Sequence, residues 1–240
     1  MKAPDYLGKP DRQPIMVGST LNPSIRSSTA SVKSLASHEA MTELKLDPDN
    51  LALVLIDIQA AFVDQMSGPR EPVLARLEQL LIVAQWLQLP LLTTLEEPVA
   101  RKGMLLPRLQ EQFPEHGQVY YKQTYDLCGE PDILRALKQL QRKQLVVAGT
   151  ETDVCILQSV LGLLDQEYQV FILEDCLFSS AIDTDPAIYR MRQAGAIPLT
   201  YKSLHYELLQ TENTAAWQEG HQAALDAGLR PVESLPTRDE

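Results

Sequence analysis

Apolar residues along this chain fall into short continuous runs separated by longer stretches of helical period. LALVLID (51–57) is an unbroken branched and leucine-rich run, the pattern of a strand covered on both faces. Val73, Leu74, Leu77, Leu80, Leu81, Ala84 and Leu87 then recur at three- and four-residue steps and predict an amphipathic helix. LPLLTT (89–94) reads as a second strand and QVYYK (118–122) as a shorter third. Pro131 opens a helix in the first-turn position proline tolerates, with Ile133, Leu134, Leu137 and Leu140 on one face. QLVVAGT (144–150) and YQVFILED (168–175) are the fourth and fifth strands. Between them Val154, Leu157, Val160, Leu161 and Leu164 mark a largely apolar helix. A helix around 186–193 leads through Gly195 to a sixth strand, AIPLTY (196–201). Leu204, Leu208 and Leu209, then Ala215, Ala216, Ala223, Ala224 and Leu225, predict one or two further helices.

The connections are too long for hairpins, and parallel strands need crossovers of this length. Right-handed crossovers place helices on both faces of a sheet. The predicted class is therefore α/β: a doubly wound, mainly six-stranded parallel sheet with helices on both faces. Three segments follow. Residues 1–46 are rich in proline, serine and threonine without a sustained apolar period, and read as an arm, flexible or packed on a neighbouring subunit. Residues 47–228 form the domain, and 229–240 a polar tail.

Charge narrows the partners. The chain has 240 residues and a net charge of −11, with no basic cluster to offset it, which argues against nucleic acid and against an anionic bilayer. The longest apolar run, 51–56, is far short of the roughly 20 residues of a membrane span, and prolines and aspartates occupy the place of a leader's apolar stretch. Cys128, Cys155 and Cys176 are too few for a disulfide framework and suit a reducing, cytoplasmic compartment.

In an open parallel sheet, ligands collect beyond the carboxyl ends of the strands, so the residues closing each run carry the chemistry. Asp57 closes the first, Thr94 then Glu96 and Glu97 follow the second, Lys122 closes the third, and GTETDVC follows the fourth. No GxGxxG or GxxxxGK[ST] cradle is present. Cys155 is expected in the first turn of a helix capped by Thr152 or Asp153, where the dipole should lower its thiol pKa. Asp57 is placed to act as a base and Lys122 to stabilise negative charge. A carboxylate, an amine and a thiol on one sheet edge make an activated-nucleophile site. Each also has a plain structural reading: a buried small hydrophobe, a helix cap, a surface lysine.

These residues resemble the isochorismatase-like cysteine hydrolase superfamily. The likeness rests on LALVLID with Gln59 and Phe62, on Lys122 before Thr124 and Tyr125, on GTETDVC, and on LEDCLFSS, where Asp175 closes the fifth run. It spans about 46–201. The resemblance implies an Asp57–Lys122–Cys155 triad and a non-proline cis peptide at Thr150–Glu151. It also implies an oxyanion hole from the backbone N–H groups of Glu151 and Cys155. Gln59 stands where nicotinamidases, in the same superfamily, begin a histidine metal site, and His38, His116, His205 and His221 show no ligand spacing. No metal and no cofactor are expected. Candidate pocket residues are Gln59, Phe62, Thr94, Glu96 and Tyr125; Cys128 and Cys176 are structural thiols, and Trp86 and Trp217 mark subunit contacts.

The reading that follows is a metal-independent hydrolase cleaving a small amide, ureide or related C–N bond through a thioester, acting as a homo-oligomer on a small-molecule substrate. An isochorismatase-type ether hydrolase, or a non-catalytic binding or scaffold protein of the same fold, are the alternatives.

Overall fold

The computed structural model describes residues 45–209. The N-terminal arm apart from its last two residues, Trp217, the helices predicted beyond 209 and the tail lie outside the described residues. Six strands form one sheet: β1 (Leu51–Ile56), β2 (Leu91–Glu96), β3 (Gln118–Lys122), β4 (Gln144–Gly149), β5 (Gln169–Leu177) and β6 (Ile197–Leu199). Every pairing is parallel, in the order β3-β2-β1-β4-β5-β6. The helices are α1 (Ala60–Val63), α2 (Arg70–Trp86), α3 (Val99–Lys102), α4 (Pro107–Gln110), α5 (Pro131–Leu140), α6 (Leu157–Asp165), α7 (Asp185–Ala194) and α8 (Tyr201–Leu209). None of the described helices is long and apolar enough to cross a membrane.

The two faces of the sheet divide the core by strand alternation. Leu51, Leu53 and Leu55 of β1, with Phe171 and Leu173 of β5, pack under α2 and α8. Ala52, Val54 and Ile56, with Val147 and Ile172, pack under α5, α6 and α7. All six β1 residues are buried, which is why that strand reads as an unbroken apolar run instead of an alternating one. Lys45 and Leu46, assigned to the arm by composition, are tied to the domain. The Leu46 N–H donates to Glu207 Oε1 at 2.7 Å, and Gln144 Nε2 donates to the Lys45 carbonyl at 2.7 Å.

Several strand boundaries differ from the periodic reading, three of them with consequences for the site or the packing. β2 runs two residues further than predicted, to Glu96, because Leu95 and Glu96 pair with Tyr121 and Lys122. β5 also continues past Asp175 to Leu177, so that aspartate does not close the strand. Instead it accepts the Tyr201 N–H at 2.8 Å and pairs with Arg76 at 3.3 Å, tying α8 and α2 to the sheet. Finally, Thr200 and Tyr201 leave the sheet, and Tyr201 begins α8.

The chain leaves β1 toward β2 and β3 on one side, then returns to lay β4 on the other. The β1/β4 boundary is thus the switch point where crossovers diverge and a crevice opens beyond the strand ends. There β4 approaches β1 very closely at Gly149, whose φ is +122°; a Cβ at that position would lie 2.2 Å from the Ile56 carbonyl oxygen. Only glycine fits.

Candidate active site

Asp57 leaves β1 in the left-handed region, at φ 53°, one that aspartate tolerates better than most residues. Its carboxylate is fully buried. Oδ1 accepts from Thr94 Oγ1 at 2.8 Å, and Oδ2 lies 2.7 Å from Lys122 Nζ. Lys122, at the end of β3, has a side chain wholly removed from solvent; its ammonium also donates to the Thr124 carbonyl at 3.0 Å. A buried charge of this kind is stable only when paired and hydrogen-bonded.

Cys155 follows β4, but not in the first turn of an ordinary α-helix. Thr152–Ile156 is a turn of π-helix, in which the Ile156 N–H reaches back five residues to the Glu151 carbonyl at 3.0 Å, and α6 begins only at Leu157. The thiol is buried, and Sγ lies 3.3 Å from Glu96 Oε2. The peptide bond between Thr150 and Glu151 is cis. Among the described residues, the Glu151 N–H donates to no acceptor. The Glu151 carboxylate accepts from Ser180 N at 2.9 Å and lies 2.7 Å from Ser179 Oγ, so the FSS of the LEDCLFSS segment anchors the loop that leads to Cys155.

Thus Asp57, Lys122 and Cys155 come from three strand ends to one place. A carboxylate oxygen of Asp57, one of Glu96 and Cys155 Sγ all lie within 4.8 Å of one another. Such a set has the composition of a cation site, and the cation standing in it is the Lys122 ammonium, 2.7 Å from Asp57 and 3.8 Å from Glu96.

Glu96 was expected on a loop; it is the last residue of β2 and is buried. Its Oε1 is ion-paired with Lys102 of α3. Gln59 fixes its backbone from both sides, accepting the Glu96 N–H at 2.8 Å and donating to the Glu96 carbonyl at 3.1 Å and the Gly103 carbonyl at 2.6 Å. Gln59 is therefore a clamp between β1, β2 and the α3 loop. Thr94 and Glu96 are two residues apart on a strand and share a face, a period-two signal that could have found Glu96 beside Asp57. Phe62 is half-buried, with Lys102 Nζ 5.9 Å from its ring centre, and Tyr125 is 59% exposed. A cavity of about 400 Å³ lies elsewhere, between the start of α2 and the loop after β5, lined by Arg76, Asp175, Phe178 and Ser179 among others. None of the candidate pocket residues lines it.

Electrostatics corrects one expectation. Burial pushes the Cys155 thiol up, and the neighbouring Asp57 and Glu96 charges add to this against the opposing pull of Lys122. The expected lowering of the thiol pKa is therefore not met here: burial and the two neighbouring carboxylates outweigh the pull of Lys122. Burial also raises the Asp57 pKa above the usual carboxylate value, against the lowering effect of Lys122, Thr94 and Cys155. Glu96 differs: burial raises it, but Lys102, Cys155 and Lys122 together hold it below the ordinary value. Burial lowers Lys122, yet Asp57, Cys155 and Glu96 together raise it. Cys128 is pushed up to about 12, first by burial and then by Asp126, and fully buried Cys176 is raised as well.

An open parallel sheet with a carboxylate, an ammonium and a thiol gathered at its switch point places the described residues in the doubly wound α/β class. The family model for the isochorismatase domain matches residues 51–203. The chain belongs to the isochorismatase family of hydrolases. Isochorismatase family protein 1B of Dictyostelium discoideum is 31% identical over 169 residues, covering 68% of this chain and 81% of that one. The probable hydrolase YcaC of Escherichia coli is 27% identical over 168 residues, covering 69% and 80%. Its crystal structure, described as an octameric hydrolase of unknown specificity, superposes with a TM-score of 0.67 at 24% identity, covering 77% and 96%. The MAR1 ribonuclease of Caenorhabditis elegans superposes with a TM-score of 0.69 at 24% identity, covering 82% of this chain and 100% of that one.

Proposed function

We propose that the protein is a cysteine hydrolase cleaving a small amide, ureide or related C–N bond. In this reading Asp57 takes the thiol proton and Cys155 Sγ attacks the carbonyl carbon. Asp57 returns the proton to the leaving amine as the C–N bond breaks. Water then adds to the thioester, gives a proton to Asp57, and the thiol re-forms as the acid departs. Lys122 keeps Asp57 oriented and offsets charge that develops beside it. The Glu151 N–H, with that of Cys155, serves as the oxyanion donor; one such donor is worth about 3–4 kcal/mol in the transition state.

The observation that carries the reading is the Asp57–Lys122 pair, buried completely and within reach of a buried thiol. The raised Asp57 pKa supports its role, because a base nearer neutrality exchanges protons more readily in both directions. The net charge of −11 argues against an RNA backbone as substrate, although one fold neighbour is named a ribonuclease. Self-association is part of the proposal, since a relative of the same fold is octameric.

The test is a panel of small amides and ureides scored for released amine, with Cys155→Ala as control. Turnover of a C–N substrate that disappears in the variant supports the reading. A Cys155→Ala protein that retains full turnover overturns it, and cleavage of vinyl ethers alone favours the ether hydrolase.

A further inference from the structure

We propose that Glu96 is a fourth member of the reactive cluster: the carboxylate to which Cys155 donates its thiol hydrogen in the resting enzyme, with Lys102 as its counter-ion. The proposal deepens the cysteine-hydrolase reading and rests on it for the catalytic consequence only.

The geometry is built for this role. Glu96 Oε2 is the acceptor 3.3 Å from Sγ, while Oε1 is held by Lys102, so the carboxylate cannot turn away without breaking an ion pair. Its backbone is locked by Gln59 through both the N–H and the carbonyl. Asp57, by contrast, spends Oδ1 on Thr94 and Oδ2 on Lys122. Two carboxylate–ammonium pairs, Asp57–Lys122 and Glu96–Lys102, therefore flank one sulfur.

They are not equivalent, and the difference assigns their roles. Glu96 faces two ammonium groups, Lys102 at Oε1 and Lys122 3.8 Å from Oε2, which favour its carboxylate form as the acceptor of the S–H bond. Asp57, paired with Lys122 and within 4.8 Å of Sγ, has its affinity for a proton raised by burial and takes the proton when a carbonyl reaches the sulfur. In the transfer the thiol turns from Glu96 toward Asp57, whose carboxylate lies within 4.8 Å of Sγ: the S–H bond breaks as the S–C bond forms, and the proton ends on Asp57. No redox partner is required. The charged groups that face Sγ are Asp57 from β1, Glu96 from β2 and Lys122 from β3, with Lys102 from α3 acting through Glu96. On its own turn, Glu151 bonds the loop after β5, and Asp153 Oδ1 lies 2.6 Å from Ser179 Oγ.

The test needs no substrate. Alkylation of Cys155 by iodoacetamide is followed on its tryptic peptide from about pH 6 to about pH 10 in the full-length wild type, Glu96→Gln and Lys102→Met. Glu96→Gln removes a negative charge and an S–H acceptor, so the thiolate fraction and hence the alkylation rate should rise about tenfold at every pH of the series. Lys102→Met leaves the acceptor and strips its counter-ion, so its whole profile should shift upward in pH and alkylation should slow at every pH of the series. A purely structural role for Glu96 would move both variants the same way. Superimposed profiles, or shifts of one sign, overturn the proposal. If Glu96→Gln does not fold, Lys102→Met decides alone: an upward shift supports the proposal and no shift overturns it. Opposite shifts together with a fully active Cys155→Ala protein would keep the Glu96–Cys155 coupling while removing the hydrolase reading.

Discussion

Replacing Lys122 with Met removes the ammonium 2.7 Å from Asp57 and leaves a carboxylate enclosed by protein. Both side chains of the pair are wholly buried, so solvent screening does not soften the loss. Breaking a buried pair from one side costs about 3–5 kcal/mol. At roughly 2–4 °C per kcal/mol for a domain of this size, Lys122→Met should melt about 6–20 °C lower than wild type near neutral pH. The pH dependence has a definite sign. Asp57 is already raised above the ordinary aspartate value of 3.8, so its contribution to stability is fully present below that value and is lost as pH rises through the folded pKa. Without Lys122 that folded pKa climbs further, and the variant should recover part of its loss as pH falls from neutral toward about 5. The double variant Asp57→Asn/Lys122→Met removes the orphaned charge and should regain much of the stability, because replacing both partners is often nearly neutral. Thermal unfolding by circular dichroism at two pH values checks all three statements. A Lys122→Met melting temperature within a degree or two of wild type would refute the buried-pair reasoning, as would a double variant no more stable than the single one.

Other outcomes are equally specific. Gly149→Ala should cost more than about 3 kcal/mol, or leave the protein insoluble, because the new methyl carbon would meet the Ile56 carbonyl oxygen and the backbone sits at φ +122°; expression and thermal melting read it. Gln59→Leu should cost about 2–4 kcal/mol, since it strips partners from the Glu96 N–H and from two carbonyls. It should also blur the alkylation profile of Cys155, while Gln85→Leu, an exposed site, should do neither. At neutral pH the wild-type Cys155 should react with iodoacetamide more slowly than a free thiol such as glutathione, because its thiol is pushed up; faster labelling would restore the helix-tip argument. Lys122 is raised above 10.5, so its contribution holds below that value and is lost as pH rises through the folded pKa, which an alkaline melting series would show.

The fold was legible because burial on both sides of a parallel sheet writes itself as apolar runs. β1 and β3 fall where the runs put them, and the strand-closing residues Asp57 and Lys122 meet because parallel strands end on one edge. What stayed hidden depends on partners in space. Glu96 reads as a solvated loop residue until β3 is laid beside β2 and carries that strand two residues further. Lys102 lies on a four-residue helix whose only sequence mark is the Pro98 before it. The raised Cys155 thiol could not be read from its place before a helix, since local dipoles are visible in sequence and desolvation by distant strands is not. The extra residue of the π-helical turn leaves no periodic trace in five residues.

The most direct measurement is intact-mass spectrometry of the enzyme quenched in acid during turnover of a small amide or ureide. A thioester adduct carrying the acyl fragment, mapped to the Cys155 peptide and missing from Cys155→Ala, is the expected result. Amine release at full rate with unmodified Cys155, or an adduct on Cys128 or Cys176 instead, would contradict it.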